Sequence, residues 1–209
     1  MSDDLERLAD LIAASPHNLV ARADHPVLRT VHVREAEELA TLLDPRPGSL
    51  WMDLGTGGGL PGLVLARAHP QATWRLVDAR RKKADEVQRF AAELGIACEV
   101  VADRAELLAR QPEHRGAYEG VVARAVAPLR SLVELVRPLL TPAGRCWAIK
   151  GERWEDEIDE AQRALRELGM DVEHVQPLTR GVLLVLATTG EALPSWLPRP
   201  PGRAQRDPF

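Results

Sequence analysis

Asp53-Leu54-Gly55-Thr56-Gly57-Gly58-Gly59-Leu60-Pro61-Gly62 is an acid followed by a glycine-rich turn. Ahead of it stands a short apolar run, Ser49 to Met52, and behind it Leu63-Val64-Leu65-Ala66-Arg67 has the reach of a helix, so the order reads strand, turn, helix. Glycines allow positive φ and let a ligand come close to the main chain, and Pro61 suits a first helical turn. The helix start should then aim free N–H groups into the crevice beyond the strand ends, where open α/β sheets bind ligands.

Two ligand chemistries compete for such a turn. Gly57, Gly59 and Gly62 satisfy Gly-x-Gly-x-x-Gly, the dinucleotide fingerprint, and Asp78 follows about 20 residues on, as a ribose-binding acid should. Asp53, however, heads Gly55-x-Gly57, and Asp/Glu-x-Gly-x-Gly resembles motif I of the S-adenosylmethionine (SAM) methyltransferases. A pyrophosphate is anionic and wants amides or cations, whereas SAM carries a sulfonium and an ammonium, which favour carboxylates nearby. The acid ahead of the glycines therefore favours SAM.

With 209 residues, 45% of them apolar, the chain is long enough for one sizeable α/β domain with a short appendage. Asp3, Asp4 and Glu6 contradict a basic signal peptide, and no apolar run approaches a membrane span, so a cytoplasmic protein without a membrane partner is expected. Cys98 and Cys146, each inside an apparent strand, lack paired spacing and read as reduced core residues. The histidines show no ligand spacing, so no metal is expected. A net charge of -4 argues against a surface that grips nucleic acid all over. Basic residues do cluster at Arg80-Arg81-Lys82-Lys83 and at Arg199, Arg203 and Arg206, which read either as solvated surface or as RNA contacts.

Leu5, Leu8, Leu11 and Ile12 recur at helical spacing, predicting a helix over Asp4 to Ala14. Pro26 opens a longer helix with apolar Val31, Leu39, Leu42 and Leu43, closed by Asp44-Pro45-Arg46-Pro47-Gly48. Residues 1–48 thus form a helical cap or lid. From Trp51 onward strands and helices alternate, the signature of parallel βαβ units. The expected strands are 73–77, 97–102, 120–123 and 145–149, the expected helices 80–94, 104–110, 129–139 and 152–168. Two further strands, 172–177 and 182–187, follow with only a short turn, Thr179-Arg180-Gly181, between them. So short a link forbids a parallel crossover and demands an antiparallel hairpin. A doubly wound seven-stranded sheet ending this way, over residues 49–190, looks like the class I SAM-dependent methyltransferase (Rossmann-like) fold rather than a dehydrogenase. Residues 191–209, with Pro194, Pro198, Pro200, Pro201 and Pro208 among the arginines, are expected to be an extended arm with no helix. Such an arm would lie across RNA or fold back over the cleft; the plainer reading is a disordered terminus.

Several short stretches, in order along nearly the whole chain, resemble the RsmG/GidB family of bacterial 16S rRNA (guanine-N7) methyltransferases. They are Asn18-Leu19-Val20, the Asp53–Gly62 turn, Leu76-Val77-Asp78 followed by basic residues, Arg104-Ala105-Glu106, Ala123-Arg124-Ala125-Val126-Ala127 and Lys150-Gly151. The series ends in Leu197-Pro198-Arg199-Pro200-Pro201-Gly202 and Asp207-Pro208-Phe209. The resemblance implies that Gly55 and Leu60 contact SAM from the turn and that Asp78 takes the ribose hydroxyls through a charge-assisted hydrogen bond. It further implies that Ala105 and Glu106 border the adenine and that Arg124 lies at the methyl-transfer mouth and touches the cofactor. Arg124 and Lys150, each at a strand end, are the candidate catalytic residues, neutralising RNA phosphate or orienting the base. The partner implied is 16S rRNA or the 30S subunit, met by a monomer.

Each assignment has a plainer counterpart: Gly55 shaping the turn, Leu60 in the core, Asp78 capping the next helix, Glu106 a helix-face charge, Arg124 a structural ion pair. Guanine N7 already carries an in-plane lone pair, so no base is needed and orientation supplies most of the acceleration. An Asn/Asp-Pro-Pro-aromatic turn, common where exocyclic amines are methylated, is missing after the fourth strand, where Ala123-Arg124-Ala125-Val126 stands. Carbon-5 methylation of pyrimidines needs a nucleophilic cysteine, which a strand cysteine does not provide. Methylation of a small metabolite, and SAM binding without turnover, are the competing functions.

Overall fold

The computed structural model describes residues 3–20, 22–191, 193 and 196–209, with no side chains for 22–24. Pro194, counted above in the arm, lies outside the described residues. The chain forms two compact units, Met1–Asp103 and Arg104–Phe209.

In the first unit, α1 (Asp3–Ala14) buries Leu5, Leu8, Leu11 and Ile12, as its apolar spacing predicts. It is held to the rest of the unit by ion pairs from Arg7 to Glu93, Asp4 to Arg67, and Asp10 to Arg29. The long helix expected from Pro26 is instead three pieces: a 3-10 turn over Arg22–Val27, a π turn over Leu28–Val33 and α2 (Arg34–Leu42). Pro26 has no N–H to give, and the β-branched Thr30, Val31 and Val33 crowd a regular turn, so the ladder is redrawn before it settles. Three parallel strands follow in the order β3-β2-β1: β1 (Leu50–Leu54), β2 (Thr73–Val77) and β3 (Glu99–Val101). The crossovers are α3 (Gly62–Ala68) and α4 (Arg81–Leu94). Met52, Leu63, Leu65, Leu76, Val87 and Phe90 are buried there. Because β3 begins only at Glu99, Cys98 stands just outside the strand that was expected to contain it.

The second unit opens with α5 (Ala105–Leu108) and continues through β4 (Tyr118–Arg124), α6 (Leu129–Val136), β5 (Leu140–Lys150) and α7 (Trp154–Glu167). It closes with β6 (Met170–Pro177), β7 (Val182–Thr188) and a short α8 (Arg203–Arg206). Its strand order is β4-β5-β7-β6, with β4 parallel to β5 and both β5–β7 and β6–β7 antiparallel. The hairpin demanded by so short a link is therefore present. Seven strands with these directions are the doubly wound sheet with an antiparallel ending. The helix α8 corrects the expectation of a helix-free arm: the prolines all lie outside Arg203–Arg206, so nothing there blocks one turn. No helix among the described residues is long and apolar enough to cross a membrane.

Candidate active site

The glycine turn leaves β1 with Gly55, Gly57 and Gly59 all at positive φ, at 74°, 58° and 89°. Gly55 and Thr56 donate their N–H groups to the carbonyl of Val77 at 2.8 and 2.9 Å, which ties the turn to the end of β2. Asp78, the next residue after β2, is half-buried, and its carboxylate bridges two segments. Oδ2 accepts from the Gly57 N–H at 3.1 Å, and Oδ1 accepts from the Arg80 N–H at 2.8 Å, just before α4. The structure thus brings Gly55 and Asp78 together, and it gives Asp78 a share of the plainer helix-start role as well. Leu60 is buried, its side chain 4% exposed.

Asp53 corrects an expectation. The residue is 1% exposed and its carboxylate accepts the Gly62 N–H at 2.9 Å, so it serves the start of α3 instead of standing open to a cationic ligand. A helix start with unmet N–H groups attracts the nearest carboxylate, and Asp53 is the nearest. The same bond removes one of the free donors expected to face the crevice. A Cβ on Gly62 would lie 2.4 Å from Asp53 Oδ2, so the glycine there secures close packing of helix on strand. Of the two acids flanking the turn, Asp78 is the one that keeps solvent exposure.

Sequence reasoning did not foresee the wall of the turn. Leu19, from the Asn18-Leu19-Val20 stretch, is 4% exposed and its Cβ sits 3.2 Å from where a side chain on Gly58 would begin. Lys83 Nζ donates to the Leu19 carbonyl at 3.4 Å, drawing one member of the basic cluster inward, while Arg80, Arg81 and Lys82 stay exposed.

In the second unit, β4 delivers Arg124, half-buried, at its C-terminal end. Ala125 follows at φ 54°, a left-handed conformation that costs an alanine about 1 kcal/mol or more. Lys150 ends β5, is 8% exposed, and donates from Nζ to the Ala127 carbonyl at 2.9 Å and to Glu157 Oε2 at 2.7 Å. The same Glu157 oxygen accepts the Leu129 N–H at 2.7 Å. The ammonium expected to meet RNA phosphate is thus engaged in anchoring the loop between β4 and α6, directly after the strained Ala125. Its partner Glu157 was not foreseen; an acidic first turn seven residues on was the available signal.

Ala105 and Glu106 open α5, both buried. Glu106 Oε1 accepts the Gly202 N–H at 2.6 Å and pairs with Arg104 at 3.2 Å, so its carboxylate faces the chain's own tail. Burial pushes the Cys98 thiol up to about 11 and the Cys146 thiol up to about 12. Neither is a thiolate nucleophile near neutral pH. Both are expected to resist iodoacetamide at about pH 8 in the folded protein and to react once it is unfolded in urea, as peptide mass mapping would show. Because folding holds these protons more tightly, the stability they contribute is complete below pH 9 and is lost as pH rises towards 11 and 12. Among the described residues no group of His, Cys, Asp and Glu is placed to hold a metal ion.

Comparison with solved structures finds the same fold. A SAM-dependent methyltransferase from Aquifex aeolicus matches with a TM-score of 0.60 at 15% identity, over 90% of this chain and 100% of that one. Magnesium protoporphyrin IX methyltransferase from Synechocystis, solved with bound SAM, matches with a TM-score of 0.61 at 18% identity, over 90% and 98%. Sequence relatives are closer. The ribosomal RNA small subunit methyltransferase G of Deinococcus radiodurans is 39% identical over 83% of this chain and 72% of its own. That of Thermotoga neapolitana is 36% identical over 88% and 81%. The family model described as rRNA small subunit methyltransferase G matches residues 2–184, and with that span of agreement the chain belongs to the GidB family.

Proposed function

We propose that this chain transfers a methyl group from SAM to N7 of a guanine in the 16S rRNA of the small ribosomal subunit, working in the cytoplasm as a monomer. One observation supports the cofactor half above others: a half-open Asp78 carboxylate, fixed at one oxygen by the glycine turn and at the other by the start of α4. Each oxygen keeps a second lone pair for a ribose hydroxyl. Thr56 Oγ1, buried in the same turn with no hydrogen-bond partner among the described residues, adds a polar atom awaiting one. The donor and acceptor set fits SAM. The guanine acceptor rests on family membership.

When bound, SAM supplies a methyl group on a positively charged sulfur. Asp78 holds the ribose, Gly55 and Leu60 shape the turn beside it, and Ala105 and the main chain of Glu106 keep the adenine-side assignment from the family, the Glu106 carboxylate being taken by Gly202 and Arg104. Arg124 orients the base or meets phosphate at the end of β4, and Lys150 acts as a positioning residue through the Ala127 carbonyl. N7 needs no proton removed and no metal to activate it, so these residues serve alignment.

Incubating the protein with labelled SAM and 30S subunits or free 16S rRNA, then digesting to nucleosides, is expected to place label in 7-methylguanosine; label only in small metabolites overturns the reading. Asp78→Ala should weaken SAM binding about 30-fold, the loss of about 2 kcal/mol from a charged hydrogen bond, and calorimetric titration at wild-type affinity would contradict it. Arg124→Ala should cut turnover at saturating RNA and SAM by roughly 100-fold, with SAM affinity measured in parallel to separate its cofactor contact from its role towards the base. Unchanged turnover removes Arg124 from the site.

A further inference from the structure

Residues 196–209 are fastened to the second unit at several points. Arg199 makes a two-bond ion pair with buried Glu134, Ser131 Oγ donates to the Ala204 carbonyl at 2.8 Å, and Arg115 donates to the Leu197 carbonyl at 3.0 Å. The Gly202 N–H is taken by Glu106. Leu197 and Ala204 are buried at 3% and 1% exposure. Against this, Trp196 is 48% exposed although the chain beside it is anchored. Its ring lies 5.5 Å from that of Phe209, tilted by 35°, and the Arg199 guanidinium sits 4.6 Å over the Phe209 ring.

A half-exposed indole next to anchored Leu197 offers a ring face on which a base can stack. The other exposed large apolar side chain among the described residues, Leu107, is on α5, the helix whose Glu106 holds the tail. Arg199 stands over the Phe209 ring that Trp196 meets, and Arg110 donates to the Pro198 carbonyl at 3.4 Å. Arg110, Arg203 and Arg206 are exposed, whereas Glu106 and Glu134 are buried and already matched. Asp207 pairs with Arg203, both more than half exposed, a contact weak enough for phosphate to displace. In a chain of net charge -4, the short tail and its anchor thus bring together two aromatic rings, Trp196 and Phe209, and four arginines, Arg110, Arg199, Arg203 and Arg206. Single-stranded nucleic acid is held by that combination, bases on aromatic faces and phosphates on arginines.

We infer that the tail is a preorganised platform on which an unpaired nucleotide of the ribosomal RNA substrate stacks against Trp196, with Arg203 and Arg206 meeting the adjoining phosphates. This rests on the RNA substrate proposed above and adds the surface that receives it.

The test uses the full chain with 30S subunits and with protein-free 16S rRNA. Trp196→Ala should raise KM for both RNAs about tenfold or more, with turnover at saturating RNA and SAM affinity as in the wild type. Trp196→Phe should keep most of the affinity. The double variant Arg203→Gln, Arg206→Gln should weaken binding and flatten its salt dependence. A single-stranded RNA oligonucleotide should quench tryptophan emission in the wild type more than in Trp196→Phe. An unchanged KM for Trp196→Ala overturns the platform, as does a rise confined to 30S subunits, which would mark a protein contact. A KM rise matched by loss of SAM affinity or of thermal stability also overturns it, since the role would then be structural. Failure of the wild type itself to methylate rRNA sinks the proposed function instead, a separate result.

Discussion

Gly62→Ala should destabilise the protein by about 3 kcal/mol or more, because an added methyl adds overpacking of about 1–3 kcal/mol to the loss of a charged hydrogen bond. The new Cβ would stand 2.4 Å from Asp53 Oδ2, 2.8 Å from Leu76 Cγ and 2.9 Å from Asp53 Cβ. Asp53 and Leu76 are 1% and 0% exposed, so neither has space to retreat into. Asp53 also cannot swing away without abandoning the Gly62 N–H. The same chemical change at Gly95 provides the control. There φ is 64° and nothing lies within 4 Å, so only the conformational cost of about 1–2 kcal/mol applies. Urea unfolding of both variants separates the two effects, and a Gly62→Ala midpoint at or above that of Gly95→Ala would refute the close-packing account. SAM binding should suffer in Gly62→Ala alone, since only that glycine ends the turn beside Asp78.

Arg199→Ala should cost about 3 kcal/mol. Glu134 is 3% exposed, and removing its partner leaves a carboxylate inside the protein without a counter-charge. Breaking a buried pair costs about 3–5 kcal/mol, and the low end applies because Arg199 keeps 19% of its side chain in solvent. Arg199 also donates to the Asp207 carbonyl at 2.9 Å and covers Phe209, contacts that go with it. Glu134 raises the Arg199 pKa further above its ordinary value, so no loss of this pair through Arg199 is expected below strongly alkaline pH. Pairing Arg199→Met with Glu134→Gln should recover a large part of the loss, because no bare charge is then left inside. Equal unfolding midpoints for Arg199→Ala and the wild type would show that the pair contributes nothing.

What could be read in advance was local. The strand, glycine turn and helix around Asp53–Gly62 depend on residues adjacent in sequence, and the β6–β7 hairpin follows from a link too short for anything else. β5 was underestimated because Thr141-Pro142-Ala143-Gly144 has the composition of a turn, although the strand runs through it. The break at Pro26 was read as a helix start because proline suits that position; nothing in the periodicity of residues 26–43 signals a π turn. The candidate site was legible as positions, not as partners. Asp53 and Asp78 both sit at strand ends and both accept an N–H at a helix start, but that Asp53 is the one buried by it depends on how α3 packs on β1. Lys150 has the look of a substrate-facing cation until Glu157 is found beneath it.

Glu106 and Glu134 are made 96 and 65 residues before the groups that meet them. A growing chain therefore carries Glu134 without Arg199, and Glu106 with Arg104 alone, until the tail has emerged. Contacts so distant along the chain are slow to close. A chain ending before Arg199 would keep Glu134 without its ion-pair partner, the same fault that Arg199→Ala introduces.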